Sequence, residues 1–355
     1  NQIMRKTISI LAMAAAVLCS CDKNADCVPC EENQETGTLA VSLLFDEGAQ
    51  TKAVTSYTTS QTYEKQVNKV QIFVFDESGK INIYKDAGTT QSGISISTTT
   101  GKKTIWAVVN GPDLSEVASV SELEDAAVDL AVNSTTASTG FVMAGSTPCT
   151  VSATAATANV SVSRLVARVA LQRVTNQLPD GYGALTIDNV VLTNVAGNQN
   201  IAGDAAVATW YNKMGRKDGA TASSQIIDGS TYLASHPTLT FKSVESSVAS
   251  GASHTPTTPY LFYCFPNSTS TDTTGWMSTF YERKTRIVVT ATIGGTKYYY
   301  PVLIDFPARN SAYTVELTIT GLGSTDPDKP VEKGTINASV TVEGWATGSI
   351  YNETI

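Results

Sequence analysis

The stretch Thr38-Leu39-Ala40-Val41-Ser42-Leu43-Leu44-Phe45 is the strongest indication of the fold class of this chain. Its apolar side chains recur at every second residue, which is the period of a β-strand with one buried face. Residues 335–343, near the other end of the chain, alternate in the same way. The two apolar faces consist of Leu39, Val41, Leu43 and Phe45 in the first strand and Ile336, Ala338, Val340 and Val342 in the second. Two look-alike strands that compete for one groove predict a subunit that polymerises by strand replacement.

The rest of the chain has the composition of a β-protein. Only 16% of the residues are charged, and Ser and Thr separate short apolar runs, which favours strands and turns over helices. One helix is expected at Asp113–Leu130, with Asp113 and Glu116 as a capping box, and one long strand is expected at Val160–Val174. The turn-rich residues 176–183 divide two runs of strands. These patterns predict an all-β fold with minor helices: two β-sandwich domains in series, at residues 53–180 and 181–333.

The first residues are typical of an export signal. Arg5 and Lys6 precede a short apolar run, Ile8–Leu18, which is too short to span a bilayer as a helix. Ser20 then supplies the small residue that cleavage before a lipidated Cys21 requires. Residues 1–20 are therefore predicted to be a lipoprotein signal peptide and residues 21–52 a propeptide. An ordinary signal peptide that happens to contain cysteines is the alternative.

An enzymatic function finds little support, and no cofactor or metal is predicted. Cys27 and Cys30 form a CxxC in a polar tether without a second such pair, and His236 and His254 are expected to be surface loop residues. The net charge of −8, with no basic cluster, gives nucleic-acid binding no electrostatic support. Tyr298–Tyr300 is interpreted as part of a strand, with a ligand platform as the alternative. Cys149 and Cys264 are expected to be free thiols in different domains.

Five motifs, in this order, resemble the FimA/Mfa-type fimbrial subunits of Bacteroidales, the type V pilins. The resemblance spans nearly the whole chain. The motifs are Val70–Asp76, Val108–Pro112, Phe141–Gly145, Arg164–Val169 and Tyr313–Trp345.

The resemblance implies a transthyretin-like sandwich in each domain and a precursor that is lipidated for transport to the outer membrane. It further implies that a trypsin-like protease cuts after the first strand, and that the C-terminal strand of another subunit fills the opened groove. The candidate bond is Lys52–Ala53, where family members cut by Arg-specific proteases carry arginine. Taken alone, Lys52 would be interpreted as a solvated loop lysine. Residues 334–355 are predicted to be the donor segment, following a Gly- and Pro-bearing hinge.

Two functions from different classes remain open. The first is a structural pilin, in the shaft or as an adaptor, whose partners are other pilin subunits, a processing protease and the outer membrane. The alternative is a monomeric surface lipoprotein that binds glycan or host protein through its loops. A monomer could fold the C-terminal strand back onto its own sheet. In the precursor we expect this tail to lie at an edge of its own domain or to hang loose.

Overall fold

The first alternating stretch forms a strand, β1, at Thr36–Phe45, with its inward face buried. The computed structural model describes residues 35–45, 62–130, 140–214, 237–270, 282–327, 329, 331, 334–344 and 351–354. Leu39 and Val41 are fully buried, and Leu43 is nearly so, whereas Leu44 on the other face is 50% exposed. The period-two pattern therefore identified both the strand and its buried face.

The described chain is almost entirely β-structure, which confirms the predicted fold class. After β1, the strands in the first part are β2 Val70–Phe75, β3 Ile81–Asp86, β4 Ile94–Thr99, β5 Gly101–Val109, β6 Ala127–Asp129, β7 Met143–Val151, β8 Ala155–Arg164, β9 Ala167–Asn176, β10 Leu185–Thr193, β11 Val195–Ala196 and β12 Asn198–Asn200. The later strands are β13 Trp210–Tyr211, β14 Phe241–Val248, β15 Ser253–His254, β16 Tyr260–Cys264, β17 Thr285–Ile293, β18 Thr296–Ile304, β19 Ser311–Ile319, β20 Ile336–Gly344 and β21 Tyr351–Thr354. The helices are α1 Val120–Asp125 and α2 Pro237–Thr240, with a 3-10 turn at Thr62–Lys65. Neither helix has the length and apolar character needed to cross a membrane.

Seven strands form the first sheet, in the order β3-β2-β5-β7-β8-β1-β4. The sheet curls until its end strands meet, since Thr99 Oγ1 of β4 donates a hydrogen bond to Asn82 Oδ1 of β3 at 3.0 Å. Thr98 also donates to Asn82. β1 is thus an interior strand of this sheet, although it comes first in the sequence.

The curled sheet has a core on each face. β2 is buried along its whole length, because Val70, Ile72 and Val74 face the inside of the curl while Phe73 and Phe75 face away from it. We call the inside cluster the inner core; the apolar residues of β1 belong to it. The other face of the sheet packs into a larger main core, to which the later strands contribute.

Two further large sheets are formed by strands from β9 onward. One has the order β14-β10-β17-β18, and its β17–β18 hairpin turns at Gly294-Gly295 as the sequence predicted. Both glycines have positive φ, 57° and 81°, which suits a two-residue turn of this kind. The other sheet has the order β15-β9-β19-β20-β21, with β16 also paired to β9.

The predicted strand Val160–Val174 is in fact two strands, because the chain changes sheets at Leu165–Val166. β8 ends at Arg164 in the first sheet, and β9 then pairs with β16 and β19. The boundary inferred at residue 180 from turn composition lies after this change. The domain limits 53–180 and 181–333 themselves stay a prediction.

The predicted helix Asp113–Leu130 is wrong in length. Only Val120–Asp125 is helical, and its N-cap is Ser119, whose Oγ accepts from Glu122 N at 3.2 Å. Glu122 Oε2 accepts from the N–H of Ala118, the residue before the cap, at 2.7 Å, so a cap that resembles a capping box lies six residues later than expected. The helix ends because Ala127–Asp129 pair with β12 as a strand.

Candidate strand-exchange site

β1 is hydrogen-bonded to a neighbour on each side. Thr38–Phe45 run parallel to Ala155–Val162 of β8, and Thr36–Val41 run antiparallel to Ile94–Thr99 of β4. We call this position between β4 and β8 the β1 site. Without β1, both neighbours would present unpaired backbone groups, a ready template for another strand.

The inward side chains of β1 complete the inner core. Leu39 lies opposite Ile96 of β4 and Ala156 of β8, and Val41 lies opposite Ile94 and Ala158. The fourth predicted residue, Phe45, is half-buried and packs against the same cluster. The predicted face is therefore the buried face, with three members nearly or fully enclosed and one at its margin. That β1 is removable stays a prediction.

Two residues of β1 that the sequence analysis did not single out also shape the site. Gly37 is buried, and a Cβ built on it would lie 2.0 Å from Ser152 O, so no other residue fits without movement of the backbone. Ser42 Oγ accepts a hydrogen bond from Gly93 N at 3.1 Å. The indication of this close approach in the sequence was the glycine itself, which lies on the same face of the strand as the apolar residues.

The second alternating stretch forms β20, which lies in its own sheet between β19 and β21. Ala338 and Val340 are buried there, 3% and 8% exposed, and Ile336 and Val342 are half-buried. The predicted face is again the packed face. The tail forms the hairpin of β20 and β21 at one edge of this sheet, with β21 as the outermost strand.

The candidate lipidation and cleavage residues, Cys21, Lys52 and Ala53, lie outside the described residues. The chain is described again from the 3-10 turn Thr62–Lys65, which contains a buried acidic residue. Glu64 has no solvent exposure, and its carboxylate accepts from Arg168 Nη1 of β9 at 3.1 and 3.3 Å. Tyr263 OH of β16 donates to Glu64 Oε1 at 2.7 Å.

This buried cluster, which we call the Glu64 network, joins the segment before β2 to the sheet that contains β9. Arg164 Nε donates to Glu64 O at 2.9 Å, and the hydroxyls of Tyr63 and Tyr263 are 3.0 Å apart. Burial, reinforced by the Glu64 carboxylate, raises the pKa of Tyr263 well above its ordinary value. Tyr263 is therefore a neutral donor throughout the physiological range. The acidic partner of these arginines was not predictable from the sequence, because Glu64 lies in a polar stretch.

The other candidate residues that the structure describes are hydrogen-bonded or buried within the fold. His254 is not a free loop residue: its ring nitrogens lie 3.0 Å from Ser246 Oγ and from Tyr260 OH, and burial lowers its pKa. His236 lies outside the described residues. Tyr299 and Tyr300 are buried, 4% and 0% exposed, which favours the strand interpretation over a ligand platform. Within the part of the chain that the structure describes, no group of three His, Cys, Asp or Glu side chains is placed to hold a metal ion.

Cys149 and Cys264 are both free thiols. Cys264 is fully buried, and burial raises its pKa to about 12, whereas Cys149 is half-buried with a smaller upward shift. Neither has the lowered pKa of a reactive thiol.

Comparison with solved structures identifies the fold. A fimbrilin (FimA) from Porphyromonas gingivalis has a TM-score of 0.59 at 16% identity, covering 88% of this chain and 99% of that one. A candidate cell adhesion protein from Parabacteroides distasonis has a TM-score of 0.61 at 18% identity, covering 88% and 98%. The C-terminally truncated tip fimbrial protein Mfa3 from Porphyromonas gingivalis has a TM-score of 0.51 at 14% identity, covering 86% and 99%. At these identities the likeness shows the fold.

A comparison with curated protein sequences found no match. Among protein families, the sequence model of the major fimbrial subunit protein (FimA) matches residues 36–173. The matched stretch begins at the first residue of β1 and ends within β9, so it covers the whole first sheet. The predicted FimA/Mfa-type resemblance is confirmed, since residues 36–173 match the model of the major fimbrial subunit protein (FimA) and the fold is that of solved fimbrilins.

Proposed function

We propose that the protein is a pilin subunit that polymerises into surface fimbriae when its first strand is cut free and replaced by the C-terminal strand of another copy. The observation that carries the proposal is the place of β1. It is an interior strand of the first sheet, yet its covalent connection to the other strands of that sheet runs through residues 46–61, which contain the candidate bond Lys52–Ala53.

The proposed trigger is hydrolysis of the Lys52–Ala53 peptide bond by a trypsin-like protease, with water as the co-reactant. Before cleavage, β1 fills its own site and the precursor has no vacancy. After cleavage, β1 is a separate peptide and can leave. Leu39, Val41 and Leu43 are each worth roughly 1.5–3 kcal/mol of burial, so the empty site is strongly association-prone.

The proposed occupant is β20 of a second subunit. It offers a row of apolar side chains, Ile336, Ala338, Val340 and Val342, and backbone groups for both β4 and β8. Main-chain hydrogen bonds are the chief source of affinity when a strand is added to a sheet. Because β20 lies in its own sheet before exchange, a donor must first give up its pairing with both β19 and β21.

The Glu64 network supports the proposal, because the hydrogen bonds described above hold the segment before β2 through β8, β9 and β16. Glu64 is bonded by Arg168 and Tyr263, which belong to strands of another sheet. The new N-terminal segment can therefore remain attached when β1 departs. A subunit that keeps its donor strand can insert it into a neighbouring subunit. This favours a shaft or adaptor position over the tip.

The monomeric lipoprotein adhesin stays as the second candidate, because the observed position of β20 in its own sheet is also what a permanent monomer needs. In that case the loops, not the strands, would carry binding to a glycan or host protein. The two candidates differ in what proteolysis produces.

Lys52→Ala should block assembly and leave a folded precursor, because the uncut β1 continues to fill its site. Purified precursor is treated with a trypsin-like protease, and the products are followed by size-exclusion chromatography and N-terminal sequencing. Lys297→Ala, at an exposed lysine of β18, is the matched control and should assemble like the wild type. Wild-type chains that are cut at Ala53 but remain monomeric would favour the adhesin instead.

The lipid anchor is tested separately. We propose that Cys21 carries acyl chains in an outer-membrane precursor and is lost with the propeptide, since it precedes the proposed cut. Metabolic labelling with a fatty-acid analogue should mark the precursor, should fail in Cys21→Ser and should persist in Cys19→Ser. Label retained in assembled fimbriae would mean that this subunit keeps its leader as an anchor.

A further inference from the structure

The segments around the two look-alike strands agree beyond their apolar pattern. Aligned without gaps, Glu35–Phe45 and Glu332–Val342 carry identical residues at four positions: a Glu, a Gly, a Thr and a Ser. The alignment places Gly334 at the position of Gly37 and Ser339 at the position of Ser42. Every inward apolar residue of β1 is then matched by an apolar residue of the C-terminal segment.

The surroundings of Gly37 explain why a glycine is needed at this position of the alignment. The carbonyl oxygen of Ser152 approaches so closely that a Cβ at position 37 would lie 2.0 Å from it. The obstruction is a backbone atom, so it cannot be relieved by turning a side chain. Any strand that enters the β1 site must therefore present a glycine at this point.

We propose that the β1 site accepts the C-terminal strand of a second copy in one register and one direction only, with Gly334 at the Gly37 position. The inference rests on the proposed strand exchange and specifies its geometry. Ile336, Ala338, Val340 and Val342 take the places of Leu39, Val41, Leu43 and Phe45, and the strand runs parallel to β8.

Neighbouring registers fail for distinct reasons. A shift of one residue turns Asn337 and Ser339 into the inner core and the apolar residues outward, because side chains alternate between faces. A shift of two residues brings the Cβ of Ile336, or of Glu332, against Ser152 O. In the proposed register, the Ser339 hydroxyl also falls where Ser42 Oγ accepts from Gly93 N.

A glycine at position 334 suits the backbone conformation of the tail both before and after strand exchange. Before exchange, Gly334 is exposed with a φ of +91° and has open space around it. In the β1 site it would be extended and in contact with Ser152 O. Glycine is the one residue that adopts both conformations without strain and has no Cβ to clash.

An engineered disulfide between the donor strand and β4 of the acceptor can test the register directly. In the proposed register Asn337 occupies the place of Ala40, which pairs with Ser95 of β4. Antiparallel partners have Cα atoms about 4.5–5.5 Å apart, within the span of a disulfide. The next exposed serine on that face, Ser97, pairs with Thr38 and would lie roughly 7–8 Å from position 337.

The experiment uses the full precursor carrying Asn337→Cys and Ser95→Cys, with Cys149→Ser to remove the half-buried thiol. After proteolysis and removal of the released propeptide, the assembling protein is exposed to oxidised glutathione and analysed on boiled, non-reducing gels. A ladder of covalent oligomers is expected. The matched chain with Asn337→Cys and Ser97→Cys should assemble equally but give no ladder. Cys264 is present in both and is buried.

The outcomes separate the register from strand exchange itself. Oligomers that cross-link through Ser97→Cys but not Ser95→Cys would overturn the register and leave strand exchange standing. Cleaved wild-type protein that forms no oligomers would overturn both.

Gly334→Ala provides a second test, because the proposed register and simple destabilisation of the tail predict opposite changes in the amount of oligomer. Strain at φ +91° weakens the tail in its own sheet, which by itself would release the donor and promote assembly. The proposed register instead predicts at least a tenfold loss of oligomers, because the added Cβ meets Ser152 O. Gly181→Ala, at a φ of +101° in open space, carries the same strain and should assemble normally. Assembly of Gly334→Ala at the wild-type level would overturn the register.

Discussion

Glu64 is a charged side chain without solvent exposure, and such a group is tolerated only when its hydrogen-bonding capacity is met. Arg168 and Tyr263 meet it from two adjacent strands, and Arg164 binds the backbone carbonyl of the same residue. The three partners come from residues distant in sequence, so the burial of Glu64 could not be read from its polar surroundings. At this scale the sequence predicted the apolar positions well and the buried polar ones poorly.

Tyr263→Phe should lower the free energy of unfolding by about 1.5–3 kcal/mol, because it removes a donor to a buried carboxylate and leaves the ring in place. Chemical denaturation of the uncut precursor at pH 7 measures the change. Tyr182→Phe is the control, since Tyr182 is 45% exposed, and its effect should be close to zero. Equal midpoints for the two variants would show that the network contributes nothing to stability.

Single strands were predictable from local pattern, whereas their partners were not. β1 and the β17–β18 hairpin follow directly from alternation and from Gly294-Gly295. The placement of β1 between β4 and β8 depends on residues far along the chain. The overlong helix had a different cause: apolar spacing continued past Asp125, but pairing of β6 with β12 prevailed over helix continuation.

Val340→Asp tests the donor strand and should also destabilise the monomer. Val340 is 8% exposed in the main core, so the charge disturbs the tail in its own sheet as well as in the proposed acceptor. Forcing a carboxyl of ordinary pKa about 3.9 to be protonated at pH 7 costs up to about 4 kcal/mol. Unfolding of the precursor should reveal this loss, and protease-treated protein should remain monomeric.

Thr341→Asp is the matched control for that experiment. It carries the same charge one residue later, on the opposite face, and in the proposed register it takes the place of Leu44, which is 50% exposed. Its stability and assembly should remain near those of the wild type. Oligomers formed by Val340→Asp at the wild-type rate would place the donor outside β20.

At the scale of the whole molecule, the strands before and after Leu165–Val166 belong to different sheets but share the main core. The inner core, by contrast, is built from the first sheet alone and includes β1. Loss of β1 would therefore open the inner core while the main core and the Glu64 network stay closed. The two runs of strands were predicted from composition, but the change of sheet at Leu165–Val166 was not, because β9 has the same apolar texture as β8.

The interior position of β1 has a mechanical consequence for a fimbria under load. Ladder hydrogen bonds run across the strands, so a pull along a strand held between two neighbours shears both ladders together instead of unzipping them one bond at a time. A joint formed by a strand in this position would resist flow and traction through many bonds acting at once. Its lifetime under tension would be set by a rate of rupture, not by the equilibrium affinity of the strand.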